Sequence, residues 1–192
     1  MASLAVFASG RGSNFVALAG RLREVARHRL TLLVCDRADA PVLERARELG
    51  VPARHVGYRG RSREQAEAEM LELLKEHHAD VVALAGFMRL LTPFFLGRFA
   101  GPVLNLHPSL LPKYPGAHGI EESWRSGDRE LGISVIRVDE GVDTGHVLLQ
   151  KSFARTGSES LAEIEARIHS LEHEWFPVAV LRALDSLDGG AP

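Results

Sequence analysis

The sequence predicts an α/β fold, namely an open, mostly parallel, Rossmann-like sheet with helices on both faces and a mixed edge. Three observations indicate it. Short apolar runs alternate with helical patterns through the first half of the chain, as in βαβ units. One run, Val81 to Ala85, is apolar throughout, which is typical of a strand covered on both faces. Two later runs, Ile133 to Val138 and Val147 to Phe153, are joined by a glycine-containing loop and indicate that the sheet is mixed near one edge.

The predicted elements follow in chain order. Leu4 to Ala8 is a short apolar run, and apolar side chains recur at helical spacing after Asn14, so a strand, a glycine turn and a helix come first. Ser62 and Gln65 have the spacing of a capping box that starts a later helix. The further predicted elements are a strand over Leu30 to Cys35, a helix over Pro41 to Leu49, a loop over Arg54 to Arg61, a helix over Ser62 to His77, and strands over Val81 to Ala85 and Val103 to Leu106.

A long helical pattern closes the sequence. It runs from Ser160 to Leu184 and contains Pro177, where we expect a kink or a break because proline lacks the N–H that a helix interior needs. The sequence has neither an internal repeat nor a linker. We therefore expect one domain over residues 1–187 and a flexible tail over residues 188–192.

Composition and charge limit the partners. A formal net charge of −2 gives no reason to expect nucleic acid or an anionic membrane, and no apolar run approaches the roughly 18 residues of a membrane span. Cys35 is the only cysteine, which excludes an intrachain disulfide and a cysteine metal cluster. The chain begins Met-Ala-Ser, without a basic signal region. We expect a cytoplasmic protein whose partners are small molecules, with a homodimer left open.

The turn after the first strand reads Ser-Gly-Arg-Gly-Ser-Asn over residues 9–14. Glycines let a backbone approach a ligand closely, and a helix N-terminus offers free N–H groups, so a phosphate fits this turn. The turn is not a dinucleotide fingerprint, because Phe15 stands where a third glycine is needed. Alternatively, the glycines only make a tight turn, and Ser13 or Asn14 caps the helix.

Asn105 and His107 lie two residues apart at the carboxyl end of a predicted strand. Alternate residues of a strand share a face, and ligands of open α/β sheets bind at this edge, so both side chains can point towards one ligand. An amide donor and a titratable imidazole suit an acyl-type transfer, in which an oxyanion develops and protons move. Otherwise His107 is a structural histidine held within its loop.

A carboxylate should orient this histidine, and Asp143 is our candidate. It lies in the sequence Asp-Glu-Gly-Val-Asp-Thr-Gly over residues 139–145, where its alternative role is that of a turn aspartate beside glycines. A metal site formed by His107, His118, Asp143 and His146 is a further alternative. None of these histidines has a partner in the set at the i, i+4 spacing that would support it.

Four loops resemble those of a known family. The sequences SGRGSN, AGFMRLL, NLHPSLLPKYPGAH and DEGVDTG occur here in the order and spacing of the folate-dependent phosphoribosylglycinamide formyltransferases, and the resemblance covers residues 3–184. That family is similar to methionyl-tRNA formyltransferase and to formyltetrahydrofolate hydrolase, which share the Asn-x-His core and the later aspartate. The resemblance implies transfer of a formyl group from 10-formyltetrahydrofolate to the amine of 5-phosphoribosyl-glycinamide in purine synthesis, without a metal.

The resemblance also implies the site residues, which fall into three groups. The catalytic residues would be Asn105, His107 and Asp143. The phosphate and ribose end of the amine substrate would contact Gly12, Ser13, Asn14, His118 and Glu172. The folate would contact Arg63, Met88, Arg89, Leu90, Leu91, Asn105, Asp139 and Asp143. Where the family usually has a histidine in the late strand, this sequence has Ile136.

Two other functions remain alternatives at this point. A hydrolase would release formate from the same folate without an amine acceptor. A nucleotide-binding oxidoreductase or a non-catalytic binding module would use only the Rossmann-like front half. For that second function, Asp36 is the only acidic residue placed to bind a ribose after the second strand.

Overall fold

A seven-stranded sheet forms the centre of the protein. The computed structural model describes residues 1–188. The strands are β1 (Ser3–Ala8), β2 (Arg29–Cys35), β3 (Ala53–His55), β4 (Val81–Leu84), β5 (Val103–His107), β6 (Glu130–Arg137) and β7 (His146–Ala154). The helices are α1 (Ser13–Val25), α2 (Val42–Glu48), α3 (Arg63–Glu76), α4 (Pro93–Leu96), α5 (Gly119–Arg125) and α6 (Leu161–Asp188).

The strands lie in the order β3-β2-β1-β4-β5-β6-β7. Strands β1 to β5 are parallel, whereas β6 pairs antiparallel with β5, and β7 pairs antiparallel with β6. The predicted open, mostly parallel sheet with a mixed edge is therefore confirmed. The strand order reverses between β1 and β4, because β2 and β3 lie on one side of this pair and β5 to β7 on the other. Ligands of such sheets bind at the carboxyl ends of the strands that flank this switch point.

Side chains of β1 alternate between the two cores that flank the sheet. Leu4, Val6 and Ala8 belong to the core beneath α1 and α6, whereas Ala5 and Phe7 belong to the core beneath α3. This alternation is the two-residue period of a strand, and all five side chains are fully buried. Burial of a large apolar side chain stabilises a fold by roughly 1.5–3 kcal/mol. The helices on both faces therefore fix the carboxyl end of β1, where the glycine loop begins.

The sequence does not predict three short elements. The segment Arg54 to Arg61 is not a loop throughout, because β3 includes its first two residues. β3 is an edge strand held by backbone pairing, in which His55 lies beside Cys35, and its polar side chains give no hydrophobic pattern. The helices α4 and α5 span only four and seven residues, so no helical period can stand out.

The last helix, α6, is continuous through Pro177, so the helix does not break there, whereas the alternative of a kink stays a prediction. A proline inside a helix costs roughly 3 kcal/mol. Here Phe176, Pro177 and Val180 are all buried, and the burial of this turn offsets the lost hydrogen bond. The helix includes Asp188, and residues 189–192 of the predicted tail lie outside the described residues. No helix in the described part of the chain, α6 included, is long and apolar enough to cross a membrane.

A charged cluster joins the start of β2 to the last turns of α6. Arg27 donates two hydrogen bonds to Asp185, of 2.8 and 2.6 Å. The buried His28 contacts Asp185 through Nε2 at 2.8 Å and the backbone N–H of Ala2 through Nδ1 at 3.3 Å. Because Nδ1 accepts from a backbone N–H, Nε2 carries the ring proton and donates it to Asp185. Asp185 and His28 together thus connect three segments that are distant in sequence.

We expect Asp185→Asn to lower the melting temperature at pH 7 and to lower it less at pH 3. Hydrogen bonds from His28 and Arg27 hold the pKa of the Asp185 carboxyl below its usual range. Its stabilisation is therefore present above the unfolded pKa of about 3.9 and is lost as the pH falls through the folded pKa. For this partly exposed group we expect about 1 kcal/mol, or roughly 2–4 °C in thermal melts.

Asp39→Asn is the matched control, because the Asp39 side chain is 82% exposed and lies 3.7 Å from Arg37. It should leave the melting temperature unchanged at both pH values. Equal losses for Asp185→Asn at pH 7 and pH 3 would contradict the ionic origin of the stabilisation.

Candidate active site

The glycine loop after β1 and the loop after β4 lie side by side at the switch point of the sheet. The N–H of Ser9 donates to the carbonyl oxygen of Gly86 at 3.1 Å. The hydroxyl oxygen of Ser9, which is buried, accepts from the N–H of Met88 at 2.9 Å. Ser9 therefore couples the two loops that the sequence assigns to different substrates. Sequence reasoning missed this serine, because a contact between two loops leaves no spacing signal.

Asp143 is the centre of a polar cluster at the carboxyl end of β5. Its Oδ1 accepts from Asn105 Nδ2 at 3.2 Å, and its Oδ2 accepts from the N–H of Gly116 at 2.8 Å. Nδ1 of His107 lies 3.4 Å from the same Oδ2. The structure thus brings together Asn105, His107 and Asp143 from β5 and the β6–β7 loop.

The backbone of Asp143 has the left-handed conformation, with φ of 54°. Non-glycine residues adopt this conformation at a cost of about 1–2 kcal/mol, and aspartate and asparagine tolerate it best. The hydrogen bonds from Asn105 and Gly116 compensate this cost. Such strain concentrates at functional sites, where the surrounding contacts hold it.

His107 is buried, and both of its ring nitrogens face oxygen atoms. Nε2 lies 2.7 Å from the carbonyl oxygen of Tyr114. A carbonyl can only accept, so Nε2 carries a proton, and Nδ1 is the nitrogen on the Asp143 side. The hydroxyl of Ser109 donates to Lys113 O at 2.6 Å and reaches Tyr114 O at 3.3 Å. These contacts hold the carbonyl that orients the imidazole, which sequence reasoning could not identify.

One of the two N–H groups of the Asn105 amide is available to a ligand. A primary amide has two N–H groups, and the one protein acceptor of Nδ2 is Asp143 in the described part of the chain. The side chain is half-buried on β5. A fixed amide donor in this position can stabilise a developing oxyanion, because its orientation is set before the charge appears.

The glycine loop ends at Gly12, which is the N-cap of α1 with φ of 75°. Neither Ser13 nor Asn14 is the cap, so the alternative role of these side chains as helix caps is wrong. Within residues 1–188, no side chain caps this end of α1, which leaves N–H groups of the first turn available to an anion. A Cβ added to Gly12 would lie 2.8 Å from the Cβ of Val42, so only glycine fits here.

Asn14 and Glu172 meet across the N-terminal end of α1. Nδ2 of Asn14 donates to Glu172 Oε2 at 3.0 Å, and His169 Nδ1 lies 2.9 Å from the same oxygen. The Glu172 side chain is 7% exposed, and its hydrogen bond to His169 raises the pKa of the imidazole. The structure therefore joins two of the predicted substrate contacts and adds His169, which sequence reasoning missed.

The segment after β4 presents apolar side chains at the surface. Met88 is 66% and Leu90 is 55% exposed, whereas Leu91 is buried in the core beneath α3. Arg63, the first residue of α3, donates to the carbonyl oxygen of Leu90 at 2.6 Å. Glu67 of α3 accepts from the backbone N–H of Thr92 at 2.9 Å. Helix α3 thus holds the backbone of this segment, while the side chains of Met88 and Leu90 stay exposed.

Arg89, in the same segment, contacts two residues that follow β2 and β3. Its Nε donates to Asp36 Oδ2 at 2.9 Å, and its guanidinium lies 4.9 Å from the centre of the Tyr58 ring. Burial, reinforced by nearby Glu67 and Asp36, raises the pKa of Tyr58 to about 12. The phenol is therefore neutral at physiological pH and serves as an aromatic surface under Arg89.

The remaining predicted residues lie at the border of this region. Asp139 accepts from Gly141 N at 3.0 Å and from Thr144 Oγ1 at 2.7 Å, so it shapes the β6–β7 loop. His118 precedes α5, and its side chain is 72% exposed. It makes no hydrogen bond to the cluster around Asp143 among residues 1–188. Within those residues, no group of three or more His, Cys, Asp or Glu side chains is arranged to hold a metal ion.

The Rossmann-like sheet and the polar cluster at its strand ends define the protein as an α/β enzyme. Comparison with known sequences narrows the class. The sequence profile of the formyl transferase family matches residues 2–180. The chain belongs to this family, and within it to the phosphoribosylglycinamide formyltransferases.

Three relatives support this membership. Phosphoribosylglycinamide formyltransferase of Bacillus subtilis is 40% identical over 188 residues, with 96% of this chain and 95% of the relative covered. The structure of glycinamide ribonucleotide transformylase 1 from Geobacillus kaustophilus superposes with a TM-score of 0.92 at 42% identity, covering 96% of this chain and 99% of that one. A trifunctional purine biosynthetic protein of Drosophila melanogaster is 38% identical over 181 residues, which are 92% of this chain and 13% of that protein.

Proposed function

We propose that the protein transfers the formyl group of 10-formyltetrahydrofolate to the amine of 5-phosphoribosyl-glycinamide. The products are formylglycinamide ribonucleotide and tetrahydrofolate, as in de novo purine biosynthesis. The observation that carries the proposal is the contact of Asn105, His107 and Asp143 at the strand ends, in a chain of this family. We further propose that residues 1–187 act as one domain. The cytoplasmic location and the homodimer stay predictions.

The two substrates would bind at the adjacent loops after β1 and β4, next to the cluster at the end of β5. The phosphate of the amine substrate binds the free N–H groups at Gly12, Ser13 and Asn14, because an anion is favoured at a helix N-terminus. Glu172 accepts from its ribose hydroxyls, and His118 lies at the border of this subsite. The folate binds along the segment after β4, whose exposed apolar side chains suit its rings. Arg63 contacts the backbone of this segment, and Asp139 would reach the folate from the β6–β7 loop.

The chemistry follows from the groups that surround Asp143. The amine attacks the formyl carbon, and the formyl oxygen becomes an oxyanion that the second N–H of Asn105 and Nδ1–H of a protonated His107 stabilise. The bond from the formyl carbon to N10 of the folate then breaks. The proton that the amine loses passes to N10, with Asp143 as the base that assists through water. The formyl group is already activated on N10, so the step requires neither ATP nor a metal.

Incubation of the purified protein with 10-formyltetrahydrofolate, with and without glycinamide ribonucleotide, tests the proposal. We expect tetrahydrofolate and formylglycinamide ribonucleotide to appear in equal amounts, and only when both substrates are present. Holding the two together makes the step effectively intramolecular, so the amine is required for release of the formyl group. Formate released at the same rate without the amine would instead identify a hydrolase.

A second acceptor, glycinamide riboside without its phosphate, serves as the control for the phosphate subsite. It should react with a much larger KM, because it lacks the group that the glycine loop binds. Equal kcat/KM for both acceptors would contradict the proposed role of residues 12–14.

A further inference from the structure

Asp36 is a buried carboxylate at the carboxyl end of β2. Its side chain is 2% exposed, and its Oδ2 accepts from Arg89 Nε at 2.9 Å. Its other oxygen, Oδ1, is also buried and has no hydrogen-bond partner within residues 1–188. A buried carboxylate is stable only when its charge is compensated. Arg89 is the cation that compensates Asp36, so the carboxylate in turn fixes the position of Arg89.

The guanidinium of Arg89 contacts Asp36 and Tyr58, but part of it is exposed. Asp36 binds its Nε, and the Tyr58 ring lies 4.9 Å from the carbon that joins its nitrogens. The side chain is nonetheless 49% exposed. Because Nε faces Asp36, the two terminal nitrogens form the free edge of the planar guanidinium. A planar edge with two N–H donors matches the two oxygens of a carboxylate.

The position of Arg89 indicates which ligand supplies the carboxylate that its guanidinium would bind. It stands between Met88 and Leu90, whose exposed apolar side chains belong to the proposed folate subsite. A folate ends in a glutamyl group with free carboxylates, whereas its rings are flat and largely apolar. We infer that Asp36 is a positioning residue, which presents the free edge of Arg89 to a carboxylate at the glutamyl end of the folate. This inference rests on the proposed function.

The position of Asp36 favours this role over ribose binding. In a nucleotide-binding sheet the acid after the second strand would accept from a ribose hydroxyl. Here the carboxylate is already bound to Arg89, which belongs to the loop after β4, on the far side of β1. An acid that is buried and paired in this way orders a neighbouring cation, since the exposed guanidinium would otherwise sample several rotamers.

The experiment compares Asp36→Asn with the unmodified enzyme on two formyl donors. One donor is 10-formyltetrahydrofolate, and the other is the pteroate analogue that lacks the glutamyl group. For the full donor we expect KM to rise about five- to tenfold, because the asparagine keeps one oxygen that accepts from Arg89 but loses the charge that strengthens this hydrogen bond. The turnover number and the KM for glycinamide ribonucleotide should stay within about twofold. For the analogue, Asp36→Asn and the unmodified enzyme should have the same KM.

Asp39→Asn is the matched control, since Asp39 lies three positions further along the chain and is 82% exposed. It should behave as the unmodified enzyme with both donors. If Asp36→Asn fails to fold, Arg89→Lys carries the test, because it keeps the charge but loses the planar edge. It should show the same donor-dependent rise in KM.

Two results would overturn the inference. One is an equal rise in KM for both donors, and the other is a loss of kcat without a change in KM; either would mean that Asp36 only supports the fold. Absence of formyl transfer by the unmodified enzyme would overturn the proposed function instead. The two failures are therefore distinguishable in the same set of assays.

Discussion

We expect Asp143→Asn to lower kcat at least about a hundredfold, with both substrates still bound. The reason lies in the three groups that face the carboxylate. Asn105 Nδ2 and Gly116 N both donate to it, and His107 Nδ1 lies 3.4 Å from Oδ2. An asparagine amide replaces one acceptor oxygen by an N–H donor. One of the neighbouring donors then faces another donor, so Asn105 and His107 are no longer oriented by the same carboxylate.

Asparagine is the right substitution at position 143 because it removes the carboxylate but keeps the backbone conformation. It tolerates the left-handed conformation of residue 143 about as well as aspartate does, whereas alanine would add strain. Asn105→Ala should cause a comparable loss of kcat through removal of the free N–H. The measurements are single-turnover rates together with binding titrations of each substrate. If Asp143→Asn keeps its full turnover, Asp143 has no part in the mechanism.

The sequence predicts this part of the site because the strand period applies to it. Asn105 and His107 alternate along β5, and their spacing alone places both on one face. The partner Asp143 lies 38 positions after Asn105, and only its glycine-flanked loop and the family resemblance indicated it. The alternation of apolar runs and helical patterns likewise predicts a mostly parallel sheet, but it does not predict the order of the strands. The sequence does not predict β3, which is held by backbone pairing with β2, or α4, which has only four residues.

Other parts of the site depend on backbone conformation and on contacts across the chain. The carbonyl oxygen of Tyr114, a residue with φ of 56°, lies 2.7 Å from His107 Nε2, and an amino-acid sequence does not show where a carbonyl points. His169 and Asp36 act through neighbours that are buried or distant in sequence. Asp36 was a candidate ribose ligand by its position after β2. Its pairing with Arg89 removes the one acid that the oxidoreductase alternative needed.

The second large effect is expected for Gly12→Ala. We expect the KM for glycinamide ribonucleotide to rise at least about tenfold, while the KM for the folate changes little. Residue 12 has φ of 75°, and an added Cβ would lie 2.8 Å from Val42 Cβ. The left-handed conformation costs a non-glycine residue about 1–2 kcal/mol. The loop must therefore shift away from α2, which displaces the N–H groups proposed to bind the phosphate.

Gly20→Ala is the matched control for this substitution. Gly20 lies within the same helix, α1, and a Cβ added there would meet no atom of residues 1–188 within 4 Å outside its own helix turn. Alanine at an interior helix position is roughly 0.5–1 kcal/mol more favourable than glycine, so this variant should melt slightly higher and keep both KM values. With glycinamide riboside as acceptor, Gly12→Ala should differ little from the unmodified enzyme, because that substrate has no phosphate to lose. A rise confined to the KM for the folate would reverse the assignment of the two subsites.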